Sequence, residues 1–378
     1  MVSQVKKKIA VVIPKYGLVG GSENFAFQVT ERLALCADFE LHVFANRWRK
    51  QSGKITFHKV PVISFPRTLT SPSFAYLANK KIAEIGCDLI HSHERILQAD
   101  IFTLHCIPHE IWVNAIRQKR MSLFDRATCW VENRMIRKGG CERFLPVSSL
   151  AMDYFARCYH VPRQSVEIIH PGIDLEKFQL AGNGANRNEV RDSLGIRRDE
   201  RVILFVSMNF ELKGLAQIMD AMALNKKQDP SAPVPRLLVV GKGNEKKFQA
   251  HANSLGLGDN VIFTGVWQSS IEKLYWASDI FMMLSGFDTF GMAVLEAMAA
   301  SLPVIVSTMV GAKDIVVDGV NGFVVERDDI AKISEKIRLL VTPELGEKMG
   351  QAALAEAKKH SWDRIADRMA TIYRELLN

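Results

Sequence analysis

The 378-residue sequence predicts an α/β protein of two doubly wound, Rossmann-like domains with a cleft between them. Three observations carry that expectation. β-branched runs alternate with helical patterns almost throughout, as in parallel sheets covered by helices on both faces. The rhythm breaks once, at 178–201, where Ala181-Gly182-Asn183-Gly184 is glycine-rich and Arg197-Arg198-Asp199-Glu200-Arg201 is charged. A linker is expected there. The stretch from Ser285 to Pro303 reads as strand, turn, helix and the approach to another strand.

In chain order, the first half offers strands at 9–13, 40–44, 55–60, 89–93, 101–105, 144–147 and 166–169, with helices at 23–35, 74–85 and 150–159. The second half offers strands at 202–206, 237–240, 261–264, 280–284, 304–306 and 323–325. Its helices fall at 213–224, 245–255, 271–277, 290–300, 330–340 and 347–358. A last helix, 361–377, places Trp362, Ile365, Met369, Ile372, Tyr373 and Leu376 on one face. In such sheets a ligand sits beyond the carboxyl ends of the strands.

Composition narrows the function classes. Hydrophobic content of 48% with 24% charged residues is globular, and no apolar run approaches the roughly 18 residues of a membrane span. Lys6-Lys7-Lys8 before 9–13 has the charge order of a signal peptide, but Pro14 and Lys15 end the apolar run early, so a first strand is expected. Cysteines 36, 87, 106, 129, 141 and 158 form no CxxC pair, which suggests free thiols in a reducing compartment. The net charge of +8 suits an anionic small molecule, an anionic membrane surface or nucleic acid. No nucleic-acid-binding signature supports the last of these.

The stretch around Asp288 carries the chemistry. Asp288, Thr289 and Gly291 open a helix near Phe290, and a helix start with free N–H groups is a natural anion site. Glu296 lies among Met292, Ala293, Val294, Leu295, Ala297 and Met298, where a carboxylate is rarely buried without a partner. Asp288 and Glu296 are eight positions apart, about 12 Å at helical rise. That is too far for both to act on one bond, but suited to two ends of an elongated polar ligand. A capped helix with Glu296 in a structural salt bridge would give the same pattern.

Two further strand ends hold polar clusters. After 9–13, Gly20-Gly21-Ser22-Glu23 opens a helix, and paired glycines let a backbone approach a phosphate or sugar. It is not the GxGxxG dinucleotide fingerprint, and a plain tight turn would look alike. His91-Ser92-His93-Glu94-Arg95 ends one strand, and His105-Cys106-Ile107-Pro108-His109 follows the next. Four histidines raise a metal reading, but His91 and His93 are expected on opposite faces of their strand and so poorly placed for one ion. Segment 111–138 mixes Arg117, Lys119, Arg120, Arg126, Arg134 and Arg137 with Trp112, Ile116, Leu123, Phe124 and Trp130. Such a segment suits an anionic lipid surface, or is a helical excursion with a solvated basic face.

Taken together, the sequence resembles the retaining glycosyltransferases of the two-domain GT-B fold, the large family of sucrose-type, mannosyl and lipopolysaccharide-core transferases. Gly20-Gly21-Ser22-Glu23, Val147-Ser148-Ser149, Ile169-His170-Pro171-Gly172-Ile173-Asp174, Phe290-Gly291-Met292-Ala293-Val294-Leu295-Glu296, Asp318-Gly319-Val320-Asn321-Gly322 and Ser361-Trp362 carry the resemblance, in order, over nearly the whole chain. It implies an acceptor-binding domain at 1–178, a nucleotide-sugar domain at 179–360, and a last helix, 361–378, that packs back on the first. It implies that Glu296 contacts the donor ribose, Asp288 the transferred sugar, and Lys213 the diphosphate. The amides near Phe290, Gly291 and Met292 would hold sugar and diphosphate, Gly20 and Gly21 would face the diphosphate from the other domain, and His105 would lie near the reacting carbon. No metal or other cofactor is implied.

Departures from the family are Met208 where an arginine usually accompanies the lysine, Asp288 for a glutamate, Leu284 for a proline and Ser301 for a glycine. Lys242 in Gly241-Lys242-Gly243 is a candidate replacement for the arginine. Ser207-Met208-Asn209-Phe210-Glu211-Leu212-Lys213-Gly214 and the basic segment most resemble lipopolysaccharide-core hexosyltransferases of the glucosyltransferase I type. The expected partners are a nucleoside-diphosphate sugar, foremost UDP-glucose, a glycolipid or saccharide acceptor, and an anionic membrane surface at 111–138, with no nucleic acid. The expected place is the cytoplasm, peripheral at the inner face of the cytoplasmic membrane. Competing readings are the same transfer to a soluble acceptor and a catalytically silent nucleotide-sugar-binding protein.

Overall fold

The computed structural model describes residues 6–18, 20–49, 53–179, 184–267 and 270–378. They divide into two compact units, Met1–Gly172 with Trp362–Asn378, and Ile173–Ser361.

Unit 1 runs β1 (Lys7–Val12), α1 (Gly21–Leu33), β2 (Phe39–Ala45), β3 (Ile55–Lys59), α2 (Thr70–Ile85), β4 (Leu89–Ser92), β5 (Ile101–Leu104), α3 (Leu123–Lys138), β6 (Arg143–Pro146) and α4 (Ser149–Cys158). Its strands form one parallel sheet in the order β3-β2-β1-β4-β5-β6. β1 reads as a continuous apolar run because helices cover both its faces; Ile9, Ala10, Val11 and Val12 are fully buried. Residues 166–169, expected as a further strand, make only one bridge, from Val166 to Phe144. Glu167 and Ile169 still donate to Phe144 and Pro146 carbonyls at 3.1 and 3.0 Å. Pro171, which has no N–H to give, stops the ladder there.

Unit 2 runs α5 (Gly184–Ser193), β7 (Val202–Ser207), α6 (Leu215–Gln228), β8 (Arg236–Gly241), α7 (Glu245–Ser254), β9 (Val261–Gly265), α8 (Glu272–Trp276), β10 (Ile280–Met283), α9 (Met292–Ala299), β11 (Val304–Ser307), β12 (Gly322–Val325), α10 (Ile330–Leu340) and α11 (Pro343–Ala357). Its sheet is also parallel and repeats the same winding, β9-β8-β7-β10-β11-β12. The chain then returns to unit 1 as α12 (Trp362–Leu377). That helix packs on α1 and β4, with Trp362 edge-on to Phe25 at 5.7 Å. Arg32–Asp363 and Arg374–Asp38 ion pairs flank it.

The expected linker at 178–201 is not irregular throughout. Residues 180–183 lie outside the described residues, but Gly184–Ser193 is the helix α5. Arg191 explains it: 2% exposed, it donates to the Ala277, Arg197, Arg198 and Glu200 carbonyls and to Asp279 Oδ2. Every N–H of a buried guanidinium is thereby satisfied. Arg187 and Arg201 reach the same carboxylate, so this stretch is stitched into unit 2.

Candidate active site

The richest constellation lies at the carboxyl ends of β7 and β10 in unit 2. After β7 the chain makes a tight turn: Asn209 N–H donates to Ser207 Oγ at 2.8 Å, and Leu212 N–H to Asn209 Oδ1 at 3.1 Å. Lys213 follows, then Gly214 with φ +82° as the start of α6. A β-carbon on Gly214 would lie 2.2 Å from the Leu284 carbonyl oxygen, so the close approach of this turn to the end of β10 requires glycine.

From the neighbouring strand, Ser285, buried, accepts from Phe287 N–H and donates to its carbonyl, which folds the chain back. Asp288 is then tied by backbone bonds to Met309 and Gly311, both 2.9 Å. Its Oδ1 accepts from Phe290 N–H at 3.2 Å, and its Oδ2 meets Lys213 Nζ. Lys213 and Asp288, 75 residues apart, are thus brought together as a half-buried ion pair.

The helix opens two residues later than 290–300 predicts. Gly291, φ +92°, is its N-cap, no side chain caps it, and the helical residues are Met292–Ala299. Asp288 explains the shift, since its carboxylate holds Phe290 in a turn. Phe290 itself is buried, and its carbonyl accepts from Ala312 N–H. Glu296, half-buried one turn on, accepts from the Tyr275 hydroxyl of α8 at 2.6 Å. Burial raises its pKa, while that hydroxyl and the Lys177 ammonium lower it. The partner expected for this carboxylate is therefore a neutral donor.

At the arginine position Met208 is 67% exposed. Gly241 and Gly243 pack against the Ser207–Phe210 turn so closely that β-carbons would lie 1.7 Å from Ser207 O and 2.2 Å from Phe210 Cδ2. Lys242 between them is therefore held beside the loop that carries Lys213, and its own N–H donates to Ser207 O at 2.9 Å.

In unit 1, Gly20 is the N-cap of α1. The Glu23 carboxylate folds over it, so that a β-carbon there would meet Glu23 Oε2 at 2.0 Å; the α-carbon of Gly21 faces open space. His105 is half-buried. Its Nε2 bonds His93 Nδ1 at 2.9 Å, and Phe25 lies edge-on to it at 5.0 Å. Burial pushes its pKa down to about 3, so the ring is neutral near pH 7. His91 and His93 do not face opposite sides. Their rings lie 4.2 Å apart, because positions i and i+2 of a strand share a face. They nevertheless serve different partners: His91 bonds Tyr373 and Thr103, both at 2.7 Å. His109 instead bonds Asp125 at 2.9 Å, outside the cluster. Among the described residues no group of three or more His, Cys, Asp or Glu is placed to hold a metal ion.

The model for Glycosyl transferases group 1 matches residues 186–356, and that for Glycosyltransferase Family 4 matches 19–177. The chain belongs to the group 1 and family 4 glycosyltransferases. A D-inositol 3-phosphate glycosyltransferase of Segniliparus rotundus is 30% identical over 243 residues, 62% of this chain and 53% of that protein. A glycosyltransferase of Methanocaldococcus jannaschii is 26% identical over 334 residues, 85% of this chain and 84% of that protein. The chain spans about half the length of the inositol-phosphate relatives it matches. WaaG, a glycosyltransferase involved in lipopolysaccharide biosynthesis, has the same GT-B fold: TM-score 0.77 and 20% identity over 96% of this chain and 99% of that one. Anabaena HepE, solved with UDP and glucose, gives 0.70 and 19% over 98% and 100%.

Two residues of this candidate site had no sequence signal. Tyr275 sits in a short helix whose pattern shows only an apolar face, though a carboxylate among apolar residues already called for some donor. Arg327 follows β12, donates to Glu211 O at 2.8 Å, and rests against Gly286, where a β-carbon would lie 2.7 Å from its Nη1. Its contact with the Lys213 loop exists only in three dimensions.

Proposed function

We propose that this glycosyltransferase moves a hexose, glucose from UDP-glucose, to a lipopolysaccharide core or related glycolipid, retaining anomeric configuration. The observation that carries the reading is the meeting of Lys213 and Asp288 at the uncapped N-terminus of α9. In the reading, unit 2 holds the donor. The diphosphate replaces Asp288 as the partner of Lys213 and draws on the N–H groups of Gly291 and Met292; Asp288 turns to the sugar hydroxyls, and Glu296 accepts from the ribose. Lys242 supplies the second cation that Met208 cannot.

The chemistry follows from charge. Breaking the glycosyl–phosphate bond leaves the electron pair on the diphosphate and positive charge on the sugar. A fixed ammonium and a helix end, already oriented, stabilise the leaving group without reorganisation. The acceptor oxygen attacks from the face the phosphate leaves, and its proton passes to that phosphate, which preserves configuration. No divalent metal is assigned a role. In this reading His105, neutral, serves as a hydrogen-bond partner to the reacting sugar, and Gly20 and Gly21 serve the diphosphate. Unit 1 takes the acceptor.

The acceptor has a second reading. Several relatives are named for D-inositol 3-phosphate, which favours a small soluble acceptor, whereas WaaG and WaaB are named for lipopolysaccharide. The glycolipid reading is preferred for the exposed face of α3, where Leu123 and Trp130 stand among Arg126, Arg134 and Arg137.

Thermal unfolding with UDP, GDP, ADP and their hexose conjugates, without added metal, tests the donor. A ligand at one hundred times its dissociation constant adds about 2.7 kcal/mol, a plain shift in midpoint. A shift with UDP-glucose above all others is expected. No shift with any nucleotide would overturn the donor assignment and favour a silent binding protein.

A further inference from the structure

Unit 1 contains a cavity of about 540 Å³ that the donor chemistry does not use. It opens at the carboxyl ends of β1 and β2, as a ligand site in a parallel sheet should. Lys15, Arg47, Asn46, Glu94 and Arg95 line it, with the first turn of α2.

Lys15 and Arg47 are the unusual pair. Lys15-Tyr16 and Arg47-Trp48 form a two-residue parallel ladder in which the two cations are direct partners. The Pro14 carbonyl accepts from both Asn46 and Arg47 N–H, at 2.9 and 3.0 Å, so the ladder is pinned. Like charges directly opposed destabilise a strand pair. Both side chains are exposed, and neither has an acidic partner among the described residues. Arg95, by contrast, is spent on Glu132, Cys106 and the Ile107 carbonyl. The first turn of α2 adds to the imbalance: no side chain caps it, and it holds no acidic residue. Among the described residues Glu94 is the one carboxylate lining the cavity; it accepts from Arg95 N–H at 2.8 Å, and its Oε1 lies 3.5 Å from Arg95 Nη1.

We infer that this cavity binds the acceptor through an anionic group, a phosphate or carboxylate held between Lys15 and Arg47, while Glu94 accepts from a neighbouring hydroxyl. The inference rests on the reading of unit 1 as the acceptor half. The same group arrives on a free sugar phosphate or on a lipid headgroup, and the cavity recognises either.

Isothermal titration of the full chain with glucose 6-phosphate, glucuronate, glucose and a short-chain phosphatidylinositol 4-phosphate tests it. Glucose 6-phosphate should bind well above glucose. Lys15→Gln and Arg47→Gln should each weaken it about tenfold, as loss of one charge-assisted contact does, and the salt dependence should flatten. Both positions are exposed, so unchanged unfolding midpoints should confirm intact folds. Tighter binding of the short-chain lipid would put the group on a glycolipid, and the reverse on a soluble acceptor. Equal binding of glucose and its phosphate, or undiminished binding in both variants, would overturn the inference. A midpoint shift with UDP, run in parallel on all three proteins, separates the two ideas. If UDP shifts the wild type and glucose 6-phosphate fails, only this inference falls. If UDP fails and the phosphate binds, the donor assignment falls alone.

Discussion

Glu296 is one atom-pair from a different pH behaviour. Burial holds its carboxyl above the ordinary carboxylate range, and the Tyr275 hydroxyl at 2.6 Å pulls it part of the way back. A ribose hydroxyl donates best to the ionised form. UDP affinity should therefore be full above the raised pKa and fall as pH drops through it, at higher pH than an exposed glutamate would give. Tyr275→Phe removes a bond to the charged form, so the fall should move to still higher pH; Glu296→Gln should erase that limb and weaken binding overall. Titration calorimetry from pH 5 to 8 reads both, and an unmoved profile in Tyr275→Phe would remove the hydroxyl from the account. Stability runs the other way. The folded chain binds this proton more tightly than the unfolded chain, so the contribution is present below the unfolded pKa and lost as pH rises through the folded one. Lys213 is the other residue-scale lever. Lys213→Ala should lower turnover by about 100-fold, the scale for one preorganised transition-state contact, with sugar selectivity kept. Unchanged turnover in steady-state assays would move the phosphate contact elsewhere.

α5 and α9 show what local pattern reports and what it hides. α9 was legible because its apolar run, its glycine and its flanking strands agree. It starts two residues later than the pattern predicts, since the Asp288 carboxylate, not helix propensity, sets where it begins. α5 was hidden because its sequence is polar and follows a glycine-rich run, features of a linker. What makes it an ordered helix is Asp279, 88 positions away from Arg191, and no local periodicity carries that pairing. The histidine cluster failed for a simpler reason: strand geometry puts His91 and His93 on one face. The α5 account has a consequence. Removing one member of a buried ion pair costs about 3–5 kcal/mol. Arg191→Ala should therefore destabilise unit 2 by about 3 kcal/mol, less than the upper figure because Arg187 and Arg201 still face Asp279. Chemical denaturation followed by Trp276 fluorescence would show it. A loss below about 0.5 kcal/mol, the scale of a surface substitution, would make α5 an adornment rather than part of the unit.

At the scale of the whole molecule the two repeated sheets were legible, because most strands of a parallel sheet are announced by their own apolar run. Charge was legible as a sum but not as a distribution. Of the net +8, a visible share lies on one face of α3, where Leu123, Arg126, Trp130, Arg134 and Arg137 follow at helical spacing and are all exposed. The opposite face is anchored: Glu132 is buried with Arg95, and Asp125 closes a capping box with Ser122. An ordered helix that presents two large apolar side chains among arginines fits a lipid interface better than a solvated face, where Trp130 at 57% exposure would gain nothing. Each basic residue near an anionic surface contributes about 1 kcal/mol, screened once the Debye length falls from about 10 Å at 0.1 M salt to about 3 Å at 1 M. Among the described residues no helix is long and apolar enough to cross a membrane. Co-sedimentation should show uptake on vesicles containing phosphatidylglycerol, release by salt, and little uptake on phosphatidylcholine alone. Arg126→Gln with Arg134→Gln should reduce uptake at low salt. Trp130→Ala should reduce what persists at high salt, because the apolar contribution is unscreened. Equal uptake on neutral and anionic vesicles, or indifference to all three substitutions, would leave α3 as a solvated face and return the acceptor to the soluble phase.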